Sequence, residues 1–185
     1  MRWISANGPL RALAVLFVLL GITYSVVTPI FEAPDEVWHM AYVRHVALHR
    51  RLPVQENNQD DHLARQEASQ PPLYYLLAAP LIAWIDTDDF GTAARLNPHA
   101  APGLPDSDGN KNMVVPTPTP FPGRGTALAV HVVRFFSLLL GLVTVLATYA
   151  LGRRLFRGSE SRSLALLLAA LVAFNPQFLF ISASA

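Results

Sequence analysis

The feature that most constrains this chain is an uncharged apolar run at residues 12–30. A helix rises about 1.5 Å per residue, so the run reaches roughly 28 Å, close to the hydrocarbon thickness of a bilayer. A cleaved signal peptide is the alternative, but signal cores span about 7–15 residues and end at an A-x-A-like site. The exit sequence SVVTPIFEAP has no such site. The run therefore predicts an uncleaved membrane anchor.

The composition supports a membrane protein and excludes several other classes. Hydrophobic residues make up 52% of the 185 and charged residues 15%, against about 25% charged residues in soluble domains. A net charge of +1 gives no electrostatic basis for binding nucleic acid. The absence of cysteine rules out disulfides, thiolate nucleophiles and cysteine-ligated zinc.

Two further apolar runs, at residues 127–151 and 163–185, predict two more spans. A fourth candidate, residues 71–85, is shorter than a spanning helix, which needs roughly 17–25 residues. If it crossed, the arginine-rich segment at residues 153–162 would lie outside, against the positive-inside rule. We therefore expect residues 71–85 to form a helix on the outer surface, with Tyr74, Tyr75 and Trp84 at the headgroups.

The predicted fold is an all-α membrane protein with three transmembrane helices and a large external first loop. The third run continues to the last residue with no polar flank, so we expect the sequence to be part of a longer protein. The predicted segments are a cytoplasmic N-terminus (1–11), a first span (12–30), an external loop (31–126) with surface helices at about 34–50 and 71–85, a second span (127–151), a cytoplasmic loop (152–162) and a third span (163–185).

Two adjacent acids follow the first span in the sequence APDEVWHMAYVRH. Pro34 suits the first position of a helix, which places Asp35 and Glu36 in its first turn. Acids there complement the helix dipole, so a purely structural role is one explanation. The other is chemical, because Asp35, His39 and Tyr42 share one helical face, where an acid with a histidine at i+4 can hold a cation or relay a proton.

Two other places are candidates for binding a substrate. The sequence QEASQPPLYY returns the chain to the membrane surface, where Glu67 and Gln70 would form a second wall of the same site. A first-turn acid and a turn before a proline-started helix are the structural alternative. Arg134 enters the second span from that side, where it either snorkels to the surface or binds a lipid phosphate.

The order of these motifs resembles the N-terminal part of the GT-C membrane glycosyltransferases, a group that includes protein O-mannosyltransferases and aminoarabinose transferases. The resemblance rests on PDE..H after the first span, then QPPLYYLLAAPL, then VVRFFSLLLGLVTVLATYALGRRLF, then NPQFLFIS, and covers residues 10–185. Gln70 stands where the family has a lysine before the paired prolines. Ser69 stands where aminoarabinose transferases have an acid.

The resemblance implies a polytopic enzyme that transfers a sugar from a polyprenyl-phosphate donor to an acceptor glycan, lipid or protein, at the outer face of a bacterial plasma membrane. It makes Asp35, with Glu36 beside it, the catalytic or metal-associated carboxylate. A carboxylate there can take the proton of the acceptor hydroxyl. The predicted site comprises Asp35 and Glu36 as catalytic residues and His39, Tyr42, Glu67, Gln70 and Arg134 as substrate-binding residues. The sequence assigns no metal ligand and leaves open whether a divalent cation neutralises the phosphate.

Two other classes of protein remain alternatives. The first is a non-catalytic membrane protein, either an assembly subunit or an inactive remnant, because three spans alone do not build the usual donor groove. The second is a transporter, which is less favoured because the only interruption within a span is the pair Asn175 and Pro176, and that pair can simply kink a helix.

Overall fold

The computed structural model describes residues 8–55, 64–100, 112–116 and 121–185. Their regular structure is helical, apart from one isolated antiparallel bridge between Leu96 and Val114. The elements in order are α1 (Gly8–Val27), α2 (Glu36–His49), a 3-10 helix (Arg65–Ser69), α3 (Leu73–Ile82), α4 (Phe90–Ala93), α5 (Gly125–Leu155), α6 (Ser161–Ala173) and α7 (Pro176–Ser182).

Two of these helices, α1 and α5, are long and apolar enough to cross a membrane. The pair α6 and α7 forms a third candidate if the two helices count as one span, although they are bent by 65°. The bend has a local cause. The Asn175 side chain accepts a hydrogen bond from the backbone N–H of Phe178, so it caps the start of α7. Pro176 has no N–H to continue α6.

The described chain divides into two compact units. We call residues 8–25 and 134–184 the helix unit, and residues 26–133 with Ala185 the loop unit. The core of the helix unit is formed by one face of each of its helices, with Leu13 and Phe17 on α1 and alanines on α6. Small residues allow close contact: a Cβ added to Gly141 would lie 2.6 Å from Ser182 Oγ.

The loop unit is built around α2, which packs against both the 3-10 helix and α3. The two helices that the sequence predicts within residues 34–50 and 71–85 therefore pack against each other. Arg44 of α2 donates from Nε to the Thr87 hydroxyl (2.9 Å) and lies over the ring of Phe90. The Asp89 carboxylate accepts hydrogen bonds from the backbone N–H and the hydroxyl of Thr126, where α5 begins. These contacts connect the part of the predicted loop at residues 87–90 with α2 and with the start of α5.

The helix α3 has two different faces. Its buried face carries Tyr75, Ala78, Ala79 and Ile82, at the spacing of one helical stripe. Its other face is exposed and remains apolar, with Leu73, Leu76, Leu77 and Leu81, followed by Trp84 at 72% exposure. An apolar face this continuous is unusual on a surface in water, and it is typical of an interaction site or a membrane contact.

Candidate functional site

The turn between α1 and α2 contains two residues with left-handed backbone conformations. Phe31 has φ 66° and Asp35 has φ 60°. Aspartate tolerates this region better than most residues do, whereas a bulky phenylalanine is strained in it. The surrounding hydrogen bonds hold the turn, since Glu32 N–H donates to Pro29 O and Glu36 N–H donates to Ala33 O. Backbone strain of this kind is often found at functional sites.

The sequence places Pro34 and Asp35 inside the helix, but the structure begins α2 one residue later, at Glu36. Asp35 occupies the cap position with its left-handed backbone, and Pro34 lies in the preceding turn. The reason is the turn itself, because a left-handed residue cannot be part of a right-handed helix. The backbone carbonyl of Asp35 still accepts hydrogen bonds from Trp38 and His39.

The two adjacent acids have different surroundings. Glu36 is fully buried, and its Oε2 accepts a hydrogen bond of 2.7 Å from the backbone N–H of Phe31. Its Oε1 lies 3.0 Å from the backbone nitrogen of Ala185. Glu36 therefore stabilises the strained turn from within. Asp35 is partly exposed, and its side chain makes no hydrogen bond that caps the helix.

One turn further along α2, His39 contacts two other elements. Its Nδ1 lies 2.8 Å from the hydroxyl of Tyr75 on α3 and 3.7 Å from Oε2 of Glu67 on the 3-10 helix. The imidazole keeps 29% of its side-chain surface exposed, whereas the Glu67 side chain keeps only 5%. Glu67 Oε1 accepts a long hydrogen bond, 3.4 Å, from the amide of Gln66. Glu67 Oε2 is buried and accepts no hydrogen bond from the residues the structure describes.

The Tyr42 and Tyr75 rings form the apolar floor of this cluster. They stack nearly parallel, with centroids 3.7 Å apart, and both residues are buried. Burial raises the pKa of Tyr42. Burial also raises the pKa of the Tyr75 hydroxyl, and the nearby charge of Glu67 raises that pKa further. Both phenols therefore keep their protons at neutral pH, so Tyr75 can donate to His39 Nδ1.

The remaining predicted site residues occupy simpler positions. Gln70 is exposed at the end of the 3-10 helix, in the extended conformation that a following proline favours. Its backbone N–H donates to the carbonyl of Glu67, which ties the QPP turn to the buried acid. Arg134 belongs to the helix unit, where it is fully buried, and its Nη1 donates to the carbonyl of Ser25.

The structure thus brings together His39, Tyr42 and Glu67 from the predicted set. Among the residues it describes, no three histidine or acidic side chains cluster closely enough to hold a metal ion. Sequence analysis placed Tyr75 only as a headgroup aromatic, although it joins all three of these side chains. The signal was present: Tyr75 shares the i, i+3, i+4, i+7 stripe of Ala78, Ala79 and Ile82, which predicts a buried face.

Comparison with known proteins identifies no relative. No model of a protein family matches the chain, and neither a curated protein nor a solved structure matches it significantly.

Proposed function

We propose that this chain forms part of a polytopic membrane glycosyltransferase of the GT-C type. It transfers a sugar from a polyprenyl-phosphate donor to an acceptor glycan, lipid or protein at the outer face of the plasma membrane of a bacterium. The observation that carries the proposal is the partly exposed Asp35 carboxylate, which follows the first candidate span and makes no capping hydrogen bond. The order of the sequence motifs is the second line of support.

In this proposal Asp35 is the catalytic base. Its carboxylate accepts the proton of the acceptor hydroxyl while the hydroxyl oxygen attacks the anomeric carbon of the sugar. The bond from that carbon to the phosphate oxygen breaks, and the phosphate leaves with the electron pair. One base is sufficient because the phosphate leaves as an anion, and the attack from the opposite side inverts the anomeric centre.

Glu36 has a supporting role in the same mechanism. Its buried carboxylate accepts the Phe31 N–H and so holds the left-handed turn that presents Asp35. The sequence analysis paired the two acids as catalytic residues. The proposal instead divides them into a base and a positioning residue, because Glu36 has no exposed surface through which to reach a substrate.

The proposed arrangement has three spans, a cytoplasmic N-terminus and an external loop. Within the loop, α3 lies on the bilayer through its apolar face, which ends at Trp84. The arginines at residues 153–162 lie in the cytoplasm. Single cysteines in this cysteine-free chain test the topology. An impermeant maleimide applied to intact cells should label Thr92→Cys and spare Ser159→Cys, and the opposite pattern would refute the arrangement.

The activity is tested in membranes from cells that carry the substitutions in the chromosomal gene. The assay follows transfer of labelled sugar from a panel of polyprenyl-phosphate hexoses and pentoses. Asp35→Asn should lower the rate by about 10²- to 10⁴-fold, the usual contribution of a general base. Glu32→Gln, at an exposed acid of the same turn, is the matched control and should transfer at the normal rate. If Asp35→Asn also transfers normally, Asp35 is not the catalytic base. If membranes with the unmodified protein transfer no more sugar than membranes from cells that lack the gene, the non-catalytic alternative holds.

A further inference from the structure

The buried acid of the His39 cluster has an unusual environment. Glu67 is 4% exposed, and its Oε2 accepts no hydrogen bond within the described part of the chain. A buried carboxylate is costly unless an opposite charge or a donor compensates for it. The nearest basic atom recorded for it is His39 Nδ1, at 3.7 Å. The Glu67 carboxylate therefore lies on the Nδ1 side of the imidazole ring.

Tyr75 determines which ring nitrogen carries the proton when His39 is neutral. The Tyr75 phenol keeps its proton, and its recorded hydrogen bond joins it to His39 Nδ1 at 2.8 Å. In the tautomer in which the phenol donates and Nδ1 accepts, the imidazole proton is on Nε2. When His39 is charged, both nitrogens carry protons. In either state Nε2–H is a donor, and the two recorded contacts of the ring are made by Nδ1.

The position of this donor suggests its ligand. His39 is partly exposed and follows Asp35, the cap residue of α2, by four positions. An N–H donor supported by a buried carboxylate attracts an anion, and it offsets the repulsion that the Asp35 carboxylate exerts on one. The proposed reaction supplies such an anion in the phosphate of its donor, which develops additional negative charge as the sugar departs.

We propose that His39 binds a phosphate oxygen of the donor through Nε2–H, with Glu67 and Tyr75 as the positioning residues that hold its ring. This inference rests on the proposed function, because it identifies the group that recognises the donor. The ligand chemistry is a phosphate group that is either attached to a polyprenyl chain or free in solution.

The test measures binding to the whole chain in lipid nanodiscs, with long-chain polyprenyl phosphate as the probe and polyprenol as the probe without phosphate. His39→Phe should weaken polyprenyl-phosphate binding by about 10- to 100-fold, the range of a charge-assisted hydrogen bond. The control is His49→Phe, at an exposed histidine at the end of the same helix, which should bind normally. Polyprenol should bind weakly to every variant.

The positioning residues have a separate readout. Nitrogen NMR shifts of labelled histidine report which ring nitrogen carries the proton. Tyr75→Phe should make the Nε2–H form of His39 less dominant, and Glu67→Gln should shift the Nδ1 signal of the ring. Both substitutions should weaken phosphate binding less than His39→Phe does. Added polyprenyl phosphate should shift the Nε2 signal of the unmodified protein, a result that does not depend on the folding of any variant.

The outcomes are separable from those of the transfer assay. Competition by inorganic phosphate would indicate that the phosphate group alone is recognised, and lack of competition would make the polyprenyl chain part of the ligand; both results support the donor role of His39. Binding that is equal for His39→Phe and the unmodified protein, with no shift at Nε2, would overturn it. Asp35→Asn should retain phosphate binding. Normal transfer by that variant would refute the catalytic role of Asp35 and would leave the binding role of His39 unaffected.

Discussion

In the helix unit, several threonine hydroxyls return hydrogen bonds to their own helix, whereas in the loop unit several polar side chains join one element to another. Thr23 donates to Leu19 O within α1, and Thr144 donates to Leu140 O within α5. In the loop unit, Arg44 reaches Thr87 and Asp89 reaches Thr126. The first pattern suits a segment in lipid, where each helix satisfies its own backbone and hydroxyl groups. The second pattern makes the fold depend on particular pairs of residues.

The difference explains why the two units respond to different kinds of substitution. The helix unit packs by shape, through small residues such as Gly141 and Ala165, and tolerates exchanges of one apolar residue for another on its exposed faces. The loop unit needs specific donors and acceptors, because a buried polar group that loses its partner is costly. Five substitutions or titrations test this contrast, in order of decreasing effect.

Arg134 is the strongest test because it is a fully buried charge in the unit that otherwise packs by apolar shape. Arg134→Ala should destabilise the protein by about 4 kcal/mol, since it removes the donor to Ser25 O and leaves a large cavity. Thermal unfolding in detergent measures the effect. Arg134→Lys retains the charge, and its loss of unfolding free energy should be about half that of the alanine variant. An unchanged melting temperature for the alanine variant would show that the buried guanidinium contributes nothing to stability.

Glu36 is the counterpart of Arg134 in the loop unit. Glu36→Ala should cost about 3 kcal/mol, because the buried N–H of Phe31 loses its acceptor and the side-chain volume is lost. Glu36→Gln keeps an acceptor oxygen and should cost less than half of that. Chemical or thermal unfolding with the two variants side by side measures the difference. If Glu36→Ala were as stable as Glu36→Gln, a structural role for this carboxylate as an acceptor would be contradicted.

Gly141 tests whether the helix unit packs by shape. A valine there places its Cβ 2.6 Å from Ser182 Oγ, closer than unbonded atoms can approach, so the helices must move apart. We expect a loss of about 2 kcal/mol, typical of overpacking. Ala147→Val, on an exposed position of the same helix, is the matched control and should change the melting temperature little. Equal effects would contradict close packing at Gly141.

Asp89 tests the contrast on a smaller scale. It caps the start of α5 from a distant part of the sequence, with its carboxylate on the N–H of Thr126 at 2.9 Å. Asp89→Ala should cost about 1 kcal/mol, as the loss of a helix cap usually does. Asp88→Ala, at the neighbouring exposed acid, should be neutral. A neutral Asp89→Ala would mean that α5 begins without help from the loop.

The raised pKa of Tyr75 should make the stability of the folded protein depend on pH only at high pH and not near neutral pH. The folded state raises the pKa of its hydroxyl above 10, the value of an exposed phenol, through burial and the charge of Glu67. The resulting stability is fully present below pH 10 and is lost as the pH rises towards the folded pKa. The difference in phenolate absorbance between the unmodified protein and Tyr75→Phe should be absent at pH 10. A full ionisation step there would contradict burial of the phenol.

The features that depend on local composition were predictable from the sequence. The run at residues 12–30 predicted the helix Gly8–Val27, and the run at residues 127–151 predicted Gly125–Leu155. Helices are also present in the two predicted segments of the loop, as Glu36–His49 and Leu73–Ile82, and their place at the membrane surface stays a prediction. Their exact ends moved by a few residues because caps and turns, such as the left-handed turn at Asp35, shift the boundary without altering the apolar pattern.

The features that depend on distant pairs were decided only by the tertiary structure. His39 and Tyr75 are 36 positions apart in the chain, so no local pattern states that their side chains meet. The sequence alone does not distinguish the two adjacent acids at the start of α2, because both are carboxylates. Asp35 lies in the left-handed turn before the helix and Glu36 is the first helical residue, and packing buries Glu36 while it leaves Asp35 partly exposed. Apolarity adds up along a segment and is therefore determined by the sequence alone, whereas the burial of one carboxylate depends on what the rest of the chain places around it.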